Sequence, residues 1–125
     1  MGTGTDAIVV GAGPAGSAAA IGLARGGART LLLERARETG DALCGGFLSW
    51  QTLQRLDALG IERAALGGQT VRRVRLFADQ RYSETALPGE AMGVSRRQLD
   101  GALQAAAVAA GAALERGVHP TALES

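Results

Sequence analysis

Apolar and polar positions change period several times along the chain, and each change marks an element. The run Asp6-Ala7-Ile8-Val9-Val10 is short and β-branched, and it stops at Gly11. A run apolar on both faces predicts a buried parallel strand. From Pro14 to residue 25 the chain turns to Ala and Leu, with Pro in a first-turn position and Gly26-Gly27 as the stop, which predicts a helix. Arg29-Thr30-Leu31-Leu32-Leu33 predicts a second buried strand. Residues 5–34 thus make one βαβ unit, with parallel strands and a right-handed crossover. Residues 35–46 are polar and glycine-containing, a loop. Ser49 caps a short helix that ends at Leu59-Gly60 and carries Leu53, Leu56 and Leu59 on one side. Over 70–87 the period falls to two: Val74 and Leu76 alternate with Arg73 and Arg75, and Asp79-Gln80 interrupts. That predicts a β-hairpin with Arg72, Arg73 and Arg75 on its wet face. Ser95 and Gln98 form a capping box ahead of an Ala-rich helix over 95–110, with Leu99, Leu103, Ala106 and Ala110 inward. Gly111 ends it, and residues 112–118 predict a third strand.

Composition narrows the class without changing the outline. The chain has 125 residues, a length for one domain and not two. It is 46% hydrophobic and 20% charged with a formal charge of +1, which fits a soluble globular chain and gives no basic excess for nucleic acid. Four residues are aromatic, two Phe, one Trp and one Tyr, so the core must be built from Ala, Val, Leu and Ile. A single cysteine, Cys44, excludes an internal disulfide framework and suits a reducing compartment. With neither a signal-peptide pattern nor an apolar run near the roughly 20 residues of a membrane helix, the expected location is cytoplasmic.

The chemistry is concentrated in Gly11-Ala12-Gly13-Pro14-Ala15-Gly16, between the first strand and the first helix. Gly11 permits the tight turn. Gly13 lets a pyrophosphate approach the backbone, and Gly16 lets helix and strand pack closely. The free N–H groups and positive dipole end of the helix then meet phosphate charge. Glu34 closes the second strand eighteen residues after Gly16, where its carboxylate can accept both hydroxyls of an adenosine ribose and repel a 2′-phosphate. The bland alternative is an ordinary glycine-rich turn followed by a strand-ending acid, but spacing, periodicity and the acid agree on a dinucleotide site. The fold class is α/β: a Rossmann-like βαβ with a three-stranded parallel sheet, a small β-hairpin and a long Ala-rich helix. This part of the pattern leaves FAD and NAD open.

With Glu34-Arg35 after that loop, the chain resembles the glutathione-reductase-like FAD-binding fold. Leu43-Cys44-Gly45-Gly46-Phe47-Leu48-Ser49, followed by Leu53, Leu56 and Leu59-Gly60, is similar to the segment after strand two in geranylgeranyl reductase-like proteins. Gly93-Val94-Ser95-Arg96-Arg97-Gln98-Leu99-Asp100 and the helix to Gly111 resemble a helix shared with para-hydroxybenzoate hydroxylase-like monooxygenases. The resemblance implies an FAD-dependent oxidoreductase in which NAD(P)H supplies electrons and a small molecule is the substrate. It places Gly11, Ala12, Gly13, Pro14, Ala15 and Gly16 at the pyrophosphate and Glu34 at the ribose. Arg35 would lie beside the adenine, and Arg96 would reach the phosphate or ribitol. Cys44 and Gly45 would lie on the flavin and substrate side, with Cys44 the sole catalytic candidate.

Several of these residues have plainer readings. Arg35 also fits a solvated charge, and Arg96 with Arg97 fits a surface pair, although cations near a helix N-terminus oppose its dipole. Cys44 fits a small buried hydrophobe. Trp50 reads as core or as a lid over the following helix, and His119 as a loop residue. The later glycine-aspartate motifs of this superfamily are not in the sequence, so the expected domain is incomplete, with apolar sheet surface left for an oligomer or partner chain to cover. The competing function is a stand-alone nucleotide-binding module without redox activity.

Overall fold

The computed structural model describes residues 4–42, 46–118 and 120–121. Cys44, Gly45 and His119 lie outside the described residues. The chain folds as two compact units. One draws on 1–42 and 96–125, the other on 43–95.

In the first unit, β1 (Ala7–Val10), β2 (Thr30–Glu34) and β6 (Ala113–Arg116) form a parallel sheet in the order β1-β2-β6. Ala7 pairs with Thr30 and Val10 with Leu33, while Leu31 pairs with Ala113 and Glu34 with Arg116. Helix α1 (Pro14–Arg25) starts with Pro at its first turn, where a missing N–H costs no helix bond. Helix α4 (Arg96–Ala110) packs against it. The core is as aliphatic as the composition requires: Ala20, Ile21, Leu32, Leu99, Leu103 and Ala107 are buried. β2 is the inner strand of this sheet and is largely buried. β1 departs from the expected burial on both faces, since Ile8 and Val10 are 57% and 61% exposed. Alternate residues of a strand point to opposite faces, and the described residues cover one.

In the second unit, β4 (Gln69–Ala78) and β5 (Arg81–Gly93) form an antiparallel hairpin, and β3 (Phe47–Leu48) pairs with the far end of β5. The turn falls at Asp79-Gln80, with Asp79 at φ 53°. β5 runs past the predicted end at residue 87 to Gly93. A register shift between Val71 and Arg73 lets the pairing resume as Val71 with Ala91. Helix α2 (Trp50–Ala58) is capped by Ser49, whose Oγ accepts the Thr52 N–H at 3.2 Å, and it buries Leu53 and Leu56. The one-turn helix α3 (Arg63–Leu66) buries Leu66. Trp50 packs on β5: a Cβ added to Gly89 would meet its Cβ at 2.9 Å. The arginines of the hairpin are exposed and pair across it, Arg72 with Glu90, and Arg73 and Arg75 with Glu84.

Candidate functional site

The glycine loop leaves β1 at Gly11, which sits at φ +96° and donates its N–H to the Leu33 carbonyl at 2.8 Å. An L side chain adopts that conformation rarely. Gly16 is demanded by space: a Cβ there would lie 1.8 Å from the Gly11 carbonyl oxygen and 3.4 Å from Val9 Cγ1. The loop and the first turn of α1 can touch only because Gly16 has no side chain. Gly13 is different. Its φ is −74°, and the nearest atom to an added Cβ is Arg96 Nη2 at 3.8 Å. Neither backbone strain nor packing among the described residues requires glycine there. Pro14 is the first residue of α1, and Ala15 lies in its first turn.

Glu34, at the end of β2, turns its carboxylate back to this loop. Oε2 accepts the Ala12 N–H at 2.9 Å, and Oε1 accepts the Ala36 N–H at 3.1 Å. Burial pushes its carboxyl upward, but the N–H donors of Ala36, Ala12 and Arg35, together with the charge of Arg116, outweigh it and hold the group below its ordinary value. Three N–H donors leave one of the carboxylate's roughly four lone-pair sites, so it can still accept a hydroxyl. Beside it opens a cleft of about 410 Å³ lined by Val10, Gly11, Leu33, Glu34, Arg35, Val118 and Pro120. That volume lies within the range of small-molecule sites. Arg35 is exposed at its rim.

α4 brings a second set of side chains to the loop. Arg96 lies beside Gly13 and forms a two-point ion pair with Asp100, Nε to Oδ1 at 3.0 Å and Nη2 to Oδ2 at 3.2 Å. Asp41 accepts the Arg97 N–H at 2.9 Å, so an acid stands at the helix end where sequence reasoning saw only cations. One turn beyond Asp100, Gln104 is buried and donates Nε2–H to the Ala12 carbonyl at 2.7 Å. Ser17 Oγ donates to the same carbonyl at 3.1 Å. Asp100 closes the motif quoted from the sequence but was given no role there, and Ser17 and Gln104 were not singled out. The inward stripe of α4 is Leu99, Leu103 and Ala107 with Asp100 and Gln104, while Ala106 and Ala110 are half-buried. Only the four-residue spacing of Arg96, Asp100 and Gln104 hinted that three polar residues share one side.

The loop, the acid that ends β2 and the arginine of α4 thus meet in the first unit. A glycine loop, a helix N-terminus and a fixed carboxylate beside a cleft form an arrangement chemically suited to an anion linked to a sugar.

Known proteins resemble this chain in sequence and in fold. A family model described as an FAD binding domain matches residues 4–125. Digeranylgeranylglycerophospholipid reductase 2 of Methanopyrus kandleri is 35% identical over 120 residues, which are 91% of this chain and 28% of that protein. The 3-hydroxybenzoate 6-hydroxylase of Klebsiella oxytoca is 37% identical over 84 residues, 67% of this chain and 20% of that one. The crystal structure of a geranylgeranyl bacteriochlorophyll reductase-like protein from Thermoplasma acidophilum superposes with a TM-score of 0.74 at 30% identity, covering 90% of this chain and 30% of the other. The chain therefore spans less than a third of the length of these relatives. On the match over residues 4–125, it belongs to the FAD binding domain family.

Proposed function

We propose that this chain holds the ADP portion of FAD for a flavin-dependent oxidoreductase, with the pyrophosphate at the glycine loop and the adenosine in the cleft beside Glu34. The observation that carries this reading is Gly13, a glycine that the protein's own packing and backbone do not need and that a ligand passing close to the backbone does. The first-turn N–H groups of α1 would bind the phosphates. Glu34, deprotonated and held by Ala12 and Ala36, would accept a ribose hydroxyl. Arg96, kept at the loop by Asp100, would offset phosphate charge. Arg35 would flank the adenine. FAD, when bound, would supply the redox chemistry, and the residues named here would bind and orient it.

In the whole protein the donor would be NAD(P)H and the acceptor a small molecule. The reductase relatives favour reduction of a prenyl-type double bond, and the hydroxylase relative supports aromatic hydroxylation as the second reading. The location remains the cytoplasmic one expected from the sequence; among the described residues no helix is long and apolar enough to cross a membrane. Titration of the chain with FAD, followed by flavin fluorescence, tests the reading. Gly13→Val and Glu34→Ala should both lose affinity. A folded wild-type chain that binds neither FAD nor ADP would refute it.

A further inference from the structure

Ala12 is gripped on both sides, through the Gly11–Ala12 peptide and through the Ala12–Gly13 peptide. Its N–H goes to Glu34, and its carbonyl accepts from Ser17 and Gln104. Ala12 is 0% exposed, so water cannot readily replace a lost partner. The orientation of the Gln104 amide follows from its neighbours. Arg116 can only donate, so the atom it meets must be Oε1, which also accepts the Thr39 hydroxyl at 3.0 Å. That leaves Nε2 for Ala12. One side chain, 4% exposed, therefore joins α4, the glycine loop, the segment after β2 and the end of β6.

We propose that Gln104 is a positioning residue for the glycine loop, acting through the Ala12 carbonyl to hold the loop in the form that receives an anion. If the Ala12–Gly13 peptide turned, the Gly13 N–H that it carries and the entry to α1 would turn with it, and Ala12 would loosen from the Glu34 carboxylate. Its contact with Ala12 is a neutral amide's, so it adds no charge to a site whose charged neighbours are Glu34 on β2, Glu38 after it, Arg116 on β6, and Arg96 and Asp100 on α4. This role rests on the loop being the FAD phosphate site, and the test separates the two claims.

The full chain is compared with Gln104→Glu and Gln104→Met. Gln104→Glu keeps acceptors for Thr39 and Arg116 but sets a carboxylate oxygen against the Ala12 carbonyl. Gln104→Met keeps the length and loses every hydrogen bond. Two readings are taken: the FAD dissociation constant, and NMR amide hydrogen exchange at Ala12 and Gly13 without FAD. Both substitutions should raise the dissociation constant about tenfold, the scale of one buried hydrogen bond, and speed Ala12 exchange. Wild-type affinity and exchange in Gln104→Glu would overturn the proposal, leaving Gln104 as a brace for Thr39 and Arg116. If Gln104→Glu does not fold, Gln104→Met decides: faster exchange confined to the segments around Thr39 and Arg116 overturns the proposal, and faster exchange at Ala12 supports it. If the wild type binds no FAD, the cofactor reading falls, and the exchange comparison still decides the role of Gln104.

Discussion

A methyl group at Gly16 would sit 1.8 Å from a backbone oxygen, whereas one at Gly13 would have 3.8 Å to its nearest neighbour. The same substitution therefore has opposite consequences three residues apart. Gly16→Ala should cost about 3 kcal/mol or more in urea unfolding, because the neighbour is backbone and cannot move aside. Gly13→Val should leave stability within about 1 kcal/mol and weaken FAD binding about 100-fold, the scale of one lost hydrogen bond to charged phosphate. Isothermal titration beside urea melts separates the two effects. Glu34 adds a dependence on pH. Its folded-state carboxyl titrates below its ordinary 4.5, so its stabilising effect is complete above that value and is lost as pH falls through the folded one. Asp6, held to about 2 by Arg29, behaves likewise from its ordinary 3.8 downward. Acid unfolding followed by circular dichroism should show a shallower loss of stability below pH 4.5 in Glu34→Gln than in the wild type.

Elements were legible where punctuation and periodicity coincided. Pro14 and Gly26 bound α1, Ser49 caps α2, and Gly111 follows α4. The far half of β5 was not legible, because Pro88 and Gly89 break the alternation and a bulge offsets its partner strand. β3 has two residues and exists through its pairing with β5, so no local signal marks it. At the site, the glycines and Glu34 could be read from spacing, while their mutual bonds could not. Ala12 meets Glu34 across 22 positions and Gln104 across 92, and an isolated glutamine in an Ala-rich helix reads as surface. α4 is thus both core and scaffold for the loop. Leu103→Ala, emptying a position 2% exposed, should cost about 2–5 kcal/mol by thermal unfolding, and FAD affinity should fall with it. Ser49→Ala should cost about 1 kcal/mol, and that loss should leave the Ala12 amide unchanged in exchange experiments.

At the scale of the molecule, the unit that carries the loop is assembled from both ends of the sequence. Its inner strand, β2, is flanked by a strand from the start of the chain and one made 79 residues later, from Glu34 to Ala113. Exposed Ile8 and Val10 leave an apolar face on β1. A ligand that binds only the folded form should stabilise it by about 2.7 kcal/mol at 100 times its dissociation constant, seen as a rise in melting temperature with FAD concentration.

The discontinuity also governs how the protein is made. At about 5–20 residues per second of synthesis, β2 waits roughly 4–16 s on the ribosome before β6 exists to cover its second edge. Gln104 and Arg96 emerge within that same interval, so the newborn glycine loop has its strands and its acid but lacks the helix that steadies it. The hydrogen bond from Arg97 to Asp41 then closes a span of 56 positions and brings the returning chain back beside the point where it left. A nascent chain halted before residue 96 should leave that β2 edge unpaired and open to chaperones, and one released past residue 116 should conceal it.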